Sequence, residues 1–307
     1  MFKLPLRAEL HCHNVYSNFH LGKDESPYDC NVTIRDQLEK AKELDLNVLF
    51  ITNHNTLDGY AQILNYKNDH PKFKNIKIYP AEEISTDTGS HILAYGIHNE
   101  IKSGLTMEEI IDEIKKQNGI SSAPHPFGLV DALREKAKNC DLIEVFNSNN
   151  VDIISNLKAN QFAIENNIIQ VSGSDSHVNS TLGRCVNSIE SENTIDDIIS
   201  AMHHNKIKIL NTGYTFPDET LEHLKFKIDN SKDYIFEYIK KHHPNAVWLF
   251  SFLFKMYNLD RDSYLWHLFY KIAIYFLKRI SYKINFKNLN SNFISQRDPL
   301  SIFKNAL

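Results

Sequence analysis

Five groups of histidines and carboxylates lie within the first 180 residues of this 307-residue chain. They are His11-Cys12-His13, Asn53-His54-Asn55, Glu83 with His91, Pro124-His125-Pro126 and Asp175-Ser176-His177. Imidazole and carboxylate are the side chains that hold divalent ions of borderline softness. Most of these groups follow, or sit inside, a short apolar run of strand length. Strand ends of an α/β barrel open on one face, so ligands scattered along the sequence can converge there. The chemistry that such a meeting point supports is hydrolysis by a metal-activated water.

Taken alone, each group has a plainer reading. His-x-His at the end of Leu6–Leu10 puts two imidazoles on one side of a strand, yet such a pair is more often surface or core histidine. His54 between amides fits either a ligand with supporting partners or a polar turn. Of the adjacent Glu82 and Glu83, one should face the barrel mouth, where it could bridge two ions; a charged loop is the alternative. His125 is held between prolines, a rigid setting that suits a preorganised ligand. Asp175 and His177 share a face after the small residues Ser172-Gly173-Ser174.

Two textures alternate over the first 212 residues. Strand-length runs occur at 47–52, 76–79, 91–95, 142–146 and 168–172. Helical periodicity occupies 34–44, 106–118, 152–166 and 194–205, the last opening on Thr194 as N-cap with Asp196 and Asp197 in its first turn. This alternation predicts a mostly parallel sheet, open or closed into a barrel. Beyond Asn211-Thr212-Gly213 the strand pattern stops, which divides the chain into a barrel at 1–212 and a helical region at 213–307. Helices are expected at 219–241, 246–258 and 264–284, the last two dense in aromatics, and a loose Asn/Ser-rich stretch at 285–307.

Charge divides the same way. Residues 214–307 hold 14 Lys+Arg against 9 Asp+Glu, although the whole chain carries a net charge of −4. That balance excludes a protein that coats nucleic acid, and the acidic first part suits carboxylate-assisted metal binding. The basic aromatic helices fit packing on the barrel or on a second subunit, or an anionic surface of lipid or nucleic acid. Their longest apolar run is too short to span a bilayer. The four cysteines form no C-x-x-C pair, and the first nine residues lack an apolar run of signal-peptide length, so free thiols and a cytoplasmic home are expected.

Together, His11-x-His13, Thr52-Asn53-His54-Asn55-Thr56, Glu83-Ile84-Ser85, His125-Pro126 and Ser174-Asp175-x-His177 resemble the motif series of the PHP (polymerase and histidinol phosphatase) family, over roughly residues 6–212. The resemblance implies a distorted (β/α)7 TIM-like barrel with a C-terminal helical extension, two or three divalent ions, and hydrolysis of phosphate esters. It casts His11, His13, Glu83 and Asp175 as ligands of one ion, Glu83 and His125 as ligands of a second, and His54 and His177 as ligands of a third. His91 matches a ligand or phosphate contact of the nucleotidase-like branch, and Glu144 and Asn147 match a family segment. Arg184 of Gly183-Arg184 is the candidate phosphate clamp, with Arg134 a weaker one. His177 or His20 is the candidate proton donor to the leaving oxygen.

The chain departs from the family pattern twice. Asn53 stands where the family often has Asp. In Asn14–His20, where a ligand carboxylate or histidine is usual, Asn18 is a poor ligand and His20 is the expected substitute. The longer segment Leu21–Cys30 is expected to form a lid. The imidazole-rich donor set favours Zn, Mn or Fe over Mg or Ca. The expected substrate is a nucleotide or short nucleic acid; histidinol phosphate or another small phosphate ester is the alternative, and a catalytically degenerate binding module the third reading. An oligomer through the C-terminal helices is also open.

Overall fold

A computed structural model describes residues 4–22, 25–295, 302, 304 and 305. Nine strands form one mixed sheet in the order β7-β6-β5-β4-β3-β2-β1-β8-β9. They are β1 Leu6–Cys12, β2 Val48–Ile51, β3 Lys77–Ser85, β4 His91–Tyr95, β5 Ile120–Ala123, β6 Leu142–Asn147, β7 Ile169–Gly173, β8 Val186–Ile189 and β9 Ile207–Asn211. The sheet curls until its wall nearly closes. Asp175 N donates to His11 O at 2.7 Å and His13 N to Ser176 O at 3.1 Å, which join the end of β1 to the segment after β7.

The sheet is not mostly parallel. The pairs β1–β2, β2–β3, β5–β6 and β6–β7 are parallel, but β3–β4, β4–β5, β1–β8 and β8–β9 are antiparallel. For β3–β4, and through it β4–β5, the physical reason is the short turn at 86–90, closed by Thr86 N to Ser90 O at 2.8 Å, which cannot carry a parallel crossover. β4 therefore runs backwards, and its first residue, His91, pairs with Ser85 at the end of β3. That reversal brings the start of β4 to the end of the wall where the other strands finish.

Five helices cover the wall: α1 Ile34–Glu43, α2 Tyr60–Asp69, α3 Met107–Lys116, α4 Ile154–Asn166 and α5 Ile195–His203. Their starts are written locally. Thr33, Thr106 and Thr194 each cap the backbone amide three residues on, and Thr106 with Glu109 forms a capping box. β2 shows why buried strands read as continuous apolar runs: Val48 and Phe50 join one hydrophobic cluster, Leu49 and Ile51 another. After β9 come α6 Pro217–His242, α7 Val247–Leu259 and α8 Leu265–Lys287. α8 extends past the expected stop into the Asn/Ser-rich stretch, whose residues 296–301, 303, 306 and 307 lie outside the described residues. It is docked on the barrel by Ser281 Oγ 3.3 Å from Ser155 Oγ and by Asn285 Nδ2, which donates to Phe127 O at 3.1 Å.

β3 also separates the two adjacent glutamates. Glu83 turns to the histidines, whereas Glu82 is buried on the other side, where Oε2 accepts from Ile101 N at 3.0 Å. Burial pushes the Glu82 carboxyl up to about 8. A folded-state pKa above the unfolded value means that this group's stabilising contribution is complete below pH 4.5 and is lost as pH rises through about 8. Glu82→Gln, which imitates the protonated form, should therefore match wild type in thermal unfolding at the acid end of that window and unfold at a higher temperature at the alkaline end. A constant difference across the window would show that Glu82 is not the titrating group.

Candidate metal centre

Eight of the histidines and carboxylates at this end of the barrel are placed by strand ends. β1 carries His11 and runs on to His13; the turn after β2 carries His54; β3 contributes Glu83; β4 begins at His91; Pro124-His125 follows β5; and Asp175 and His177 follow β7. The backbone bends unusually to aim them. Asn55, His125 and Asp175 have φ of 52°, 30° and 49°, in the left-handed region that non-glycine residues rarely occupy.

Glu83 is the hub. Its Oε2 lies 3.3 Å from His11 Nε2, 3.2 Å from His13 Nε2 and 3.3 Å from His54 Nδ1. Its Oε1 lies 2.8 Å from His91 Nδ1 and 3.1 Å from His125 Nε2. Asp175 Oδ1 sits 3.4 Å from both His11 Nε2 and His13 Nε2. Three overlapping groups, His11/His13/Glu83/Asp175, His54/Glu83/His91 and His13/His54/His177, each bring their ligand atoms within 4.8 Å of one another. His13 Nε2 is buried and forms no hydrogen bond although it faces two carboxylate oxygens. An orphaned imidazole nitrogen at the focus of carboxylates is the donor geometry that a cation completes.

Sequence reasoning missed Asp29. Its Oδ2 lies 2.7 Å from His177 Nε2 and 3.6 Å from His54 Nε2. Asn18 explains how it arrives. The Asn18 Oδ1 accepts from Asp29 N at 2.7 Å and Cys30 N at 2.9 Å, while its Nδ2 donates to Cys30 O at 3.0 Å. The amide is thus a clamp that folds the 21–30 segment back and delivers a carboxylate from within it; Lys23 and Asp24 of that segment lie outside the described residues. Asn53 is likewise structural, its side chain bonded to Asn14 N, Asn14 Oδ1 and Asp58 O. The available signal was the acid in the segment that follows a ligand-poor position.

Two expected residues are not brought to the cluster. His20 is exposed and pairs with Asp58, its Nε2 3.6 Å from Oδ2. The chain turns at Asn18, and Asp29 takes the place that His20 was expected to fill. Arg184 is held by Glu219 of α6 and stacks over the Phe216 ring at 4.5 Å, so its guanidinium is already engaged outside the cavity. Arg134 donates to Asn285 Oδ1 and Gly128 O. The cation near the cluster instead comes from α6: Lys227 Nζ lies 2.8 Å from Asp29 Oδ1, and His223 Nε2 donates to Asp29 O at 2.7 Å. Both lie beyond residue 212, in the helical region.

The electrostatics follow from these contacts. Burial alone would raise the Glu83 carboxyl, but the imidazoles of His54, His91 and His11 hold it well below the usual range. Asp175 and Asp29 are likewise kept ionised against burial, Asp175 by His11, His13 and His177, and Asp29 by His177 and Lys227. Burial works against protonation of His91 and His177, yet Glu83 and Asp29 raise them each to about 9. His54 goes the other way, lowered by burial to about 4.

Further hydrogen bonds fix the clustered side chains. Glu144 Oε1 is 3.0 Å from His11 Nδ1, and its Oε2 accepts from His125 N at 2.8 Å and Asn147 Nδ2 at 2.7 Å. Gly173 makes room for this carboxylate, because a Cβ there would collide with Glu144 Oε1 and His11 Cβ. The cluster floors an open cavity of 1410 Å³, which Ser85, Asp131, Arg134, Lys136, His223 and Lys227 help to line.

Known proteins bear on this geometry. A family described as PHP-associated matches residues 154–207. An uncharacterised protein of Methanocaldococcus jannaschii, MJ1587, is 32% identical over 161 residues, which cover 51% of this chain and 91% of that protein. A second uncharacterised protein of the same organism, MJ0417, is 33% identical over 120 residues, 36% of this chain and 50% of its own length. Among solved structures, PsfC from Pseudomonas syringae PB-5123 superimposes with a TM-score of 0.51 at 16% identity, over 74% of this chain and 99% of PsfC, a likeness of fold alone.

Asp29→Asn tests the missed carboxylate. In the metal-free chain the His177 pKa should fall from about 9 towards its ordinary 6.5 in an NMR titration. After reconstitution, elemental analysis should find about one divalent ion fewer per chain. Wild-type behaviour in both would remove Asp29 from the centre.

Proposed function

Because this chain belongs to the PHP family, we propose that it is a metal-dependent phosphoesterase acting on a nucleotide or on the end of a short oligonucleotide. The observation that carries this reading is Glu83, whose two oxygens meet the imidazoles of His11, His13, His54, His91 and His125. In this reading His11, His13, Glu83 and Asp175 hold one ion, Glu83, His91 and His125 a second, and His54, His177 and Asp29 a third. Two or three such ions, zinc, manganese or iron by the donor set, would supply a nucleophilic water at neutral pH and neutralise phosphoryl charge.

The chain's own residues do the rest. Glu144 orients His11 and anchors the backbone of His125, so neither ligand has to be ordered on binding. Both Arg184 and Lys227 are paired with a carboxylate, but only Lys227 lines the cavity, so it takes the anion-binding role first expected of Arg184. His20 is turned towards Asp58 and His177 serves as a ligand in this reading, so the expected proton-donating pair is free for that role only when the third ion is absent and His177 keeps its proton beside Asp29. The cavity of 1410 Å³ exceeds the roughly 300–1,000 Å³ of ordinary ligand pockets, which favours a substrate with a base and sugar attached over a small phosphate ester.

The test is metal content and turnover on one purified sample, with mononucleotides, bisphosphonucleotides, short oligonucleotides and histidinol phosphate as substrates. Turnover of a nucleotide or oligonucleotide is expected, and His13→Ala should lower it by roughly a hundredfold or more. Preference for histidinol phosphate would select the small-molecule alternative, and a chain that takes up no ion on reconstitution would be a binding module. Lys227→Met should raise KM by roughly tenfold while metal content stays at the wild-type level, the cost of one charge-assisted contact. An unchanged KM would leave the phosphate to another group.

A further inference from the structure

One face of α8 is bare. Leu265, Leu268, Ile272, Tyr275, Tyr282 and Phe286 recur at steps of three and four residues, and each is between 37% and 59% exposed. Arg279 stands in the step between Tyr275 and Tyr282. At the rise of an α-helix the stripe is about 30 Å long. The opposite face is already in use: Ile280 and Ile284 are buried, and Ser281 and Asn285 make the contacts to the barrel described above. α7 adds two exposed aromatics, Trp248 and Phe252.

Charge says what the stripe faces. α7 and α8 together carry Lys255, Lys271, Lys278, Arg279, Lys283 and Lys287 and not one acid. In the turn between them, Asp262 is engaged by Lys225 at 2.6 Å. Acids meet the ridge only at its N-terminal end, where Asp218 of α6 pairs with His267 at 2.5 Å and Asp260 lies in the turn. From Ile272 to Phe286 the apolar and aromatic ridge is accompanied by cations alone, which is the character of a helix that lies in the headgroup layer of an anionic bilayer. No helix among the described residues is long and apolar enough to cross one. A second copy of this chain fits less well, because a twofold contact across the ridge sets the same cations against each other. Nucleic acid would match the charge but leave Leu265, Leu268 and Ile272 against phosphate, where their burial gains nothing.

We propose that the exposed ridge of α8 docks this protein on an anionic lipid surface, lying in the plane of the membrane.

The test is flotation of the full-length protein with phosphatidylcholine vesicles, with and without about a third phosphatidylserine. Binding should be roughly tenfold stronger to the anionic vesicles and should weaken as salt is raised. The exposed double substitution L268E/I272E should lower it by roughly tenfold or more, and K271A/K278A should remove the preference for phosphatidylserine. Circular dichroism and light scattering on the same samples check that both variants keep the wild-type fold and size. The proposal is overturned by absence of flotation, by binding that ignores lipid charge, or by wild-type binding of L268E/I272E. A wild-type dimer that L268E/I272E dissolves, or a duplex DNA that displaces the protein from vesicles, would assign the ridge to a second copy or to nucleic acid instead.

Discussion

A carboxylate with no access to water has to be surrounded by positive charge or by donors, and Glu83 obtains both from imidazoles. At 1% exposed it could not remain ionised alone, because desolvation favours the neutral acid by several kcal/mol. The histidines around it reverse that preference; it raises His91 in return and joins Asp175 and Glu144 in raising His11. The interaction is mutual and therefore fragile. Removing the carboxylate would leave buried imidazoles with no counter-charge; removing the imidazoles would leave a buried anion. A cation entering among them would take over the neutralisation now provided by protonated histidine, which is why metal binding and proton release are coupled at such sites.

The architecture can be read as the means of bringing these side chains to one place. The reversal of β4 puts His91 beside the end of β3 rather than at the far end of the barrel. Left-handed backbone at Asn55, His125 and Asp175 bends the strand-end loops inward at a cost of about 1–3 kcal/mol each, and a well-packed wall has to sustain that strain. Gly173 lets Glu144 approach β1. Asn18, Asn53 and Asn14 knit the loops to one another by amide hydrogen bonds, so the amides that stand where acidic ligands were expected serve the scaffold.

The helical region is joined to this centre. α6 supplies Glu219 to Arg184, and His223 and Lys227 to Asp29, so one helix both disengages the expected phosphate clamp and offers another cation to the cavity. α8 then packs one face on the barrel and presents the other outwards. The carboxylates of the cluster thus come from the first part of the chain, and the lysine that meets Asp29 comes from the second.

The amino-acid sequence by itself determined the elements whose signals are local. Capped helices such as Met107–Lys116, doubly buried strands such as Val48–Ile51, and the strand-end motifs around His11, His54, Glu83, His125 and Asp175 are all legible, because periodicity, capping and turn chemistry act over a few residues. Short or mixed segments escaped: β5, β8 and β9 are four or five residues long with polar members, and α2 starts from Gly59 without a side-chain cap. Only the tertiary structure decided which way β4 runs, that Asp29 rather than His20 completes the ring, and that Arg184 is spent on Glu219 while Lys227 faces the centre. These are choices of partner between residues far apart in the chain. They depend on the summed desolvation, charge and packing of the closed barrel, which no local pattern contains.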